Sequence, residues 1–192
     1  KNGAAFDPVD KWGLSYLTTW MMFEETQNRN GLKIQEEIEK LDAQLGFQVK
    51  WDAIHVFGDA SRERLVDVLN LLSEMIVHPA FTEETFQRLS LELEEKVEEE
   101  SEQMQVRTQQ RFATELFQMN PYGHPVKGVP KTIRNLNLRD VRVHYRKLFI
   151  PNQAQLALYY SGERDSTFKA LSRYWGNWTR RAPLPFTFRK AV

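Results

Sequence analysis

The chain has 192 residues, enough for one domain that buries roughly 70% of its unfolded surface. Its 26 Lys and Arg balance 26 Asp and Glu, so global charge recruits neither nucleic acid nor an anionic membrane. A mean hydropathy of −0.56 and the lack of any apolar run near the ~18 residues of a membrane span read as a soluble domain, and the lack of cysteine excludes disulfides, thiolate metal sites and thiol nucleophiles without fixing the compartment.

The opening KNGAAFDPVD carries neither an initiating Met nor a signal peptide, as expected of an excised or processed segment. Lys1 to Phe6 reads as the tail of a strand whose start lies upstream, and Asp7-Pro8 turns the chain into a first helix over about Lys11 to Gln27. That helix, GLSYLTTWMMFEET, is apolar on nearly every side. Leu32, Ile34, Ile38, Leu41 and Leu45 then repeat near helical period until Gly46, and FQVKWDAIHVFGD reads as an antiparallel strand pair or one long bent strand. Asp59 or Ser61 is placed to cap a helix with Leu65, Val68, Leu69, Leu72 and Ile76 on one face, ended by His78-Pro79. Thr82 opens a long helix from about Glu83 toward Phe117, with a bend expected where the apolar pattern thins between Glu98 and Val106. NPYGHPVKGVP is a turn-dense loop, and Asn137 with Asp140 offers a capping box for RDVRVHYRKLF. QAQLALYYSG follows as a strand, DSTFKALSRYWGNW as a last helix, and the tail APLPFTF as an extended linker. The sum is an α+β domain at 1–181, with helices covering one face of a mainly antiparallel sheet, its first strands expected outside the chain, and a linker at 182–192.

Local chemistry is sparse. His55, His78, His124 and His144 share no ligand spacing, and the run LELEEKVEEESE reads as a solvated helix face before it reads as paired carboxylates. There is no G-x-S-x-G elbow, phosphate-cradling glycine loop or basic-aromatic platform. Tyr16, Thr19 and Trp20 stand one helical turn apart, the spacing at which H-x-x-E-H carries two zinc ligands and a catalytic glutamate; helical spacing with apolar neighbours reads here as core packing.

Spread over nearly the whole chain, GLSYLTTWMMFEET, EEIEKLDAQLG, LVDVLNLLSEMIVHPAFTEETFQRLSLELEE, NPYGHPVKGVPKTIRNLNLRDVRVHYRKLFIPNQAQLALYYSG and YWGNW resemble, in order and spacing, the insulinase/pitrilysin family of zinc metallopeptidases, which includes the mitochondrial processing peptidase. The resemblance implies one αβ half of a clamshell. It sets Tyr16 on the first ligand histidine, Thr19 on the catalytic glutamate and Trp20 on the second histidine, and the third ligand, a Glu, near Glu95, with Glu94 as the neighbouring choice. Tyr and Trp do not replace imidazole toward zinc, and Thr19 has no carboxylate to accept a proton. The implied chain is a non-catalytic domain without metal or cofactor, matching the first half of an inactive subunit or an inactive repeat of a fused chain. The Arg and Tyr that some members supply to a partner's active site have no credible counterpart here. The implied partners are an active metallopeptidase subunit or domain, a peptide in a shared chamber, and a homo- or heterodimeric neighbour. A purely structural subunit without a proteolytic partner is one alternative, and an active endopeptidase using Glu94, Glu95 and His144 another. The expected compartment is the bacterial periplasm or cell envelope, with the cytoplasm as the alternative.

Overall fold

The computed structural model describes residues 3–118 and 120–182. The expected linker therefore lies outside the described residues except for Ala182. Among the described residues eight α-helices run in chain order: α1 (Leu14–Glu24), α2 (Gly31–Lys40), α3 (Leu65–Val77), α4 (Glu83–Glu102), α5 (Met104–Phe117), α6 (Pro130–Ile133), α7 (Leu138–Leu148) and α8 (Arg164–Trp175). Between α2 and α3 lies one antiparallel hairpin, β1 (Gln44–Val49) and β2 (Ile54–Asp59), in register Gln44 to Asp59 through Val49 to Ile54. The class is α+β as expected, with a sheet of two strands among the described residues.

α1 is the centre. Leu14, Leu17, Met21 and Met22 are buried among Leu89, Leu93 and Val97 of α4 and Val141 and Leu148 of α7. A smaller cluster of Ile34, Leu71 and Met75 joins α2 to α3. Burial of a helix on nearly all sides is what an all-round apolar sequence requires.

Local chemistry sets the element ends, in places against expectation. Ala4–Phe6 form a 3₁₀ turn instead of a strand tail, because Ala4 and Ala5 N–H donate to Lys50 and Trp51 O at the hairpin tip, at 2.9 and 3.0 Å. α2 stops at Lys40, before Leu45 and Gly46: Asp42 takes a left-handed φ of 47° and Ala43 N–H closes back on Ile38 O, so Leu45 and Gly46 enter β1. Neither Asp59 nor Ser61 caps α3 through its side chain; a 3₁₀ turn at Arg62–Arg64 leads straight in. The expected bend in the long helix is a break at Gln103, whose φ of −70° and ψ of 123° separate α4 from α5. Glu98, Glu99, Glu100 and Glu102 crowd the negative end of the α4 dipole and repel one another, which favours termination there. Thr82 caps α4 through Thr85 N–H, and Asn137 and Asp140 form the capping box of α7. The expected strand QAQLALYYSG forms no ladder: 154–160 carries no regular secondary structure and pairs with no strand among the described residues.

The start of α1 rests on a buried polar network. Gly13, the N-cap, has no side chain to offer, and Asp7 supplies the missing acceptor: its carboxylate receives Gly13 N–H at 3.0 Å and Ser15 N–H at 2.9 Å. Ser15 Oγ donates to Asp7 Oδ1 at 2.6 Å and lies 2.8 Å from His144 Nε2 on α7. Gly13 has φ 97° and Gly128 φ 80°, and the two backbones meet so closely that a Cβ on Gly128 would lie 2.1 Å from Trp12 O. Burial pushes the Asp7 carboxyl up to about 7, against the hydrogen bonds from Ser15 and Gly13. Burial, aided by Lys147, pulls the His144 imidazole down to about 3.

These shifts have opposite signs in the stability of the fold. The raised Asp7 contributes stability that is present below an unfolded value of ~3.9 and lost as pH rises through about 7. The lowered His144 contributes stability that is present above an unfolded value of ~6.5 and lost as pH falls through about 3. Between roughly pH 4 and 6.5 the pair holds one proton in both folded and unfolded chains, so it adds no slope there. Removing either partner uncovers the other. Asp7→Asn is expected to lose stability as pH falls from 6.5 to 4, and His144→Gln to lose it as pH rises over the same window, each on the order of 1 kcal/mol per pH unit. Urea midpoints of the three proteins across this window test it; parallel profiles would contradict the shared-proton account.

Candidate functional site

The face of α1 that escapes full burial carries Tyr16, Trp20 and Phe23, each half-buried. Tyr16 and Trp20 meet edge to face at a centroid distance of 6.0 Å, and Tyr16 meets Phe47 of β1 in the same manner at 5.7 Å. Phe23 packs on Phe47 at 5.1 Å. Thr19, between them in the sequence, is fully buried, and its hydroxyl donates to Ser15 O of its own helix at 2.8 Å. The spacing that brings Tyr16 and Trp20 together on one face therefore turns the third side chain into the core.

α4 lies across this face. Its core residues Leu89, Leu93 and Val97 are flanked by a row one turn apart, Glu92, Lys96 and Glu100. Lys96 Nζ sits 5.8 Å from the centre of the Trp20 ring, within cation–π range. Lys127, from the loop before α6, holds its Nζ 5.8 Å from the Tyr16 ring and pairs with Glu100 at 2.5 Å. Burial, with the charges of Glu100 and Glu92, pushes the Tyr16 phenol above its ordinary range, so it stays a neutral hydroxyl near neutral pH.

The other candidates lie elsewhere. Glu94 pairs with Arg134 at 2.5 Å, and Glu95 is exposed on a different side of α4 from Lys96. His144 is buried beneath the start of α1 against Ser15 and Asp7, and no geometry joins it to Glu94 or Glu95. His55 and His78 are exposed, and His124 is buried, stacked on Trp12 at 5.0 Å and an angle of 8°. Burial lowers the His124 imidazole, and its carbonyl accepts the Trp51 indole N–H at 3.1 Å. Among the described residues, no three His, Asp or Glu side chains converge on a common point. Sequence reasoning missed Lys96, Lys127, Glu100 and Phe47. The heptad-like run Leu89, Leu93 and Val97 held the signal for the first, since it sets Lys96 rather than Glu95 beside the buried stripe.

Comparison with known proteins follows this geometry. The model of the insulinase family, peptidase family M16, matches residues 1–129. An uncharacterised zinc protease of Rickettsia bellii is 20% identical over 147 residues, covering 77% of this chain and 35% of that protein. A protease from Helicobacter pylori superposes with a TM-score of 0.91 at 17% identity over 99% of this chain and 48% of its own. A peptidase M16 inactive domain from Pseudomonas fluorescens gives 0.86 at 17% identity over 99% and 46%. The periplasmic protease PqqL from Escherichia coli gives 0.85 at 14% identity over 98% and 22%. The chain thus spans less than half the length of each of these relatives.

The α1–α4 geometry predicts which residue completes a metal site if one is built. Tyr16→His, Thr19→Glu and Trp20→His together are expected to gain tight zinc binding only when Lys96→Glu is added, because ligands must share one face and a resident ammonium opposes a second cation. Isothermal titration with zinc separates the cases. If Glu95→Ala abolishes binding in the triple variant while Lys96→Glu leaves it unchanged, the facing residue is misassigned.

Proposed function

Since the chain belongs to the insulinase family of peptidases, we propose that it is a non-catalytic half of a peptidase-like assembly, pairing with a companion domain or subunit that holds the active zinc site. The observation that carries this reading is the donor set on α1 and α4. Tyr16 offers a neutral phenol, Thr19 a buried hydroxyl already bonded to Ser15 O, and Trp20 no lone pair. Lys96 brings a positive charge to the place where a ligand carboxylate is needed. This set does not fit zinc, and no step of hydrolysis is assigned to it. Glu94 is engaged by Arg134 and Glu95 is exposed, away from the buried His144, which speaks against the endopeptidase alternative as well.

Two further facts support the reading. One relative of closely similar fold is described as an inactive M16 domain, and the relatives are about twice this chain's length or longer, as expected where a half works beside another half. A shared peptide chamber follows from such pairing and belongs to the proposal. So does a periplasmic setting, for which the likeness to PqqL speaks; among the described residues no helix is long and apolar enough to cross a membrane.

Elemental analysis of the purified chain after dialysis against zinc is expected to give no stoichiometric metal; one tightly held equivalent overturns the non-catalytic reading. Co-expression with a zinc-bearing family member from the same genome is expected to give a co-eluting complex that cleaves a peptide faster than that member alone. Absence of co-elution, with cleavage unchanged, favours the purely structural alternative.

A further inference from the structure

α5 is a 14-residue helix without one buried residue. Its inner side, Val106, Gln110 and Ala113, is half-buried toward the body of the domain, and the turn at Pro121–Gly123 packs against it. The outer side is apolar where a solvent-facing helix is ordinarily charged. Met104 is 83% exposed, Phe112 67% and Leu116 59%. These three and Thr108 stand at successive intervals of four, forming one ridge along the helix. Thr108 donates its hydroxyl to Met104 O at 2.8 Å, so it needs no solvent partner and joins the ridge as a satisfied side chain.

We propose that this ridge is an interaction surface on which a second copy of the chain docks, α5 against α5 in antiparallel orientation. This goes beyond the pairing with an active companion and uses a different face from the α1–α4 site. Charge selects the occupant. The charged groups beside the ridge are Glu102, Arg107, Arg111 and Glu115, two of each sign, so two copies meet without net repulsion. Arg107 and Glu115 lie near opposite ends of the helix, and an antiparallel pair centred near Arg111 sets Arg107 of each copy toward Glu115 of the other, two attractive pairs against the single meeting of Arg111 with Arg111. At the centre, Phe112 meets Thr108 of the second copy. A groove of about 440 Å³, lined by Met104, Thr108, Arg107, Arg111 and Glu102, runs beside the ridge and gives an opposing side chain room to enter.

Size sets the strength. A helix of this length is ~21 Å long and ~10 Å wide, a footprint on the order of 200 Å² per copy, well under the ~800 Å² per partner of a standard interface. The dimer is therefore weak and forms only at high protein concentration.

Sedimentation velocity of the 192-residue chain, from about 5 to 500 µM, reads this. The wild type is expected to shift toward a dimer across the range, and Phe112→Glu to remain monomeric with an unchanged melting temperature. Glu115→Arg is expected to weaken association several-fold, and adding Arg107→Glu to restore it. That rescue is specific to antiparallel pairing, and circular dichroism of each variant controls for loss of helix. Wild-type protein that stays monomeric at the highest concentration overturns the proposal. So does a Glu115→Arg variant that dimerises as tightly as wild type, or a Phe112→Glu variant that loses only the binding of an active companion, since α5 then belongs to that interface.

Discussion

Asp7 bears the constraint on which the rest of the chain's arrangement depends. A helix whose N-cap is glycine begins with unsatisfied N–H groups, and in this chain they begin inside the protein. A carboxylate six residues upstream supplies the acceptor, and its burial is tolerable because Ser15 and His144 complete the network from the opposite side. The same contacts fix three segments to one another: the N-terminal turn, the start of α1 and the middle of α7. Lys11 adds an ion pair to Asp140 beside this junction, so the capping residue of α7 also holds the approach to α1. Once α1 is pinned at this end, the core can close on it from α4 and α7.

Pinning α1 has a consequence for its chemistry. With seven of its eleven residues buried, the helix is held by packing along its whole length. Tyr16 and Trp20, at the margin, are replaceable in principle without exposing the core. Thr19 is not in that position: it lies inside, its hydroxyl bonded to its own helix. A small hydroxyl bonded within its own helix is accommodated in the core at less cost than an unpaired charged group would be. The side chains that hold α1 in the core are therefore separate from the pair at its margin.

The sequence made legible the features whose cause is local. Asn137 with Asp140 and Thr82 cap the helices they stand before, because a cap needs only its own next turn. The hairpin and the break after the glutamate run are local for the same reason. What stayed hidden depends on distant partners. Ala4–Phe6 have the composition of a strand tail, yet the groups that receive their N–H bonds lie at Lys50 and Trp51. QAQLALYYSG has the alternation of a strand, and alternation alone supplies no ladder. Leu45 fits the helical period of α2, but Asp42, in a left-handed conformation that aspartate tolerates, had already ended that helix. At the candidate site the i, i+4 meeting of Tyr16 and Trp20 was readable from spacing, whereas the α4 residue over the Trp20 ring is Lys96, next to the expected Glu95. Several glutamates stand in a row there, and the residue of the flanking row that meets Trp20 is a lysine.

That lysine gives the arrangement its physical sense. A metal ion between two helices neutralises carboxylate charge and ties the helices together. Here two side-chain cations perform both tasks over aromatic rings. Lys96 lies over Trp20 amid a row of glutamates, and Lys127 lies over Tyr16 while paired with Glu100. Each cation–π contact is worth about 0.5–1 kcal/mol at a partly exposed site, far less than a coordinated metal. Each needs no loading, however, and neither activates a water molecule. Positive charge thus sits between α1 and α4, and no metal-holding group of side chains stands beside it among the described residues. Packing and charge act through different atoms of the same helix, the buried side chains of α1 holding it in the core while its rim aromatics meet the cations.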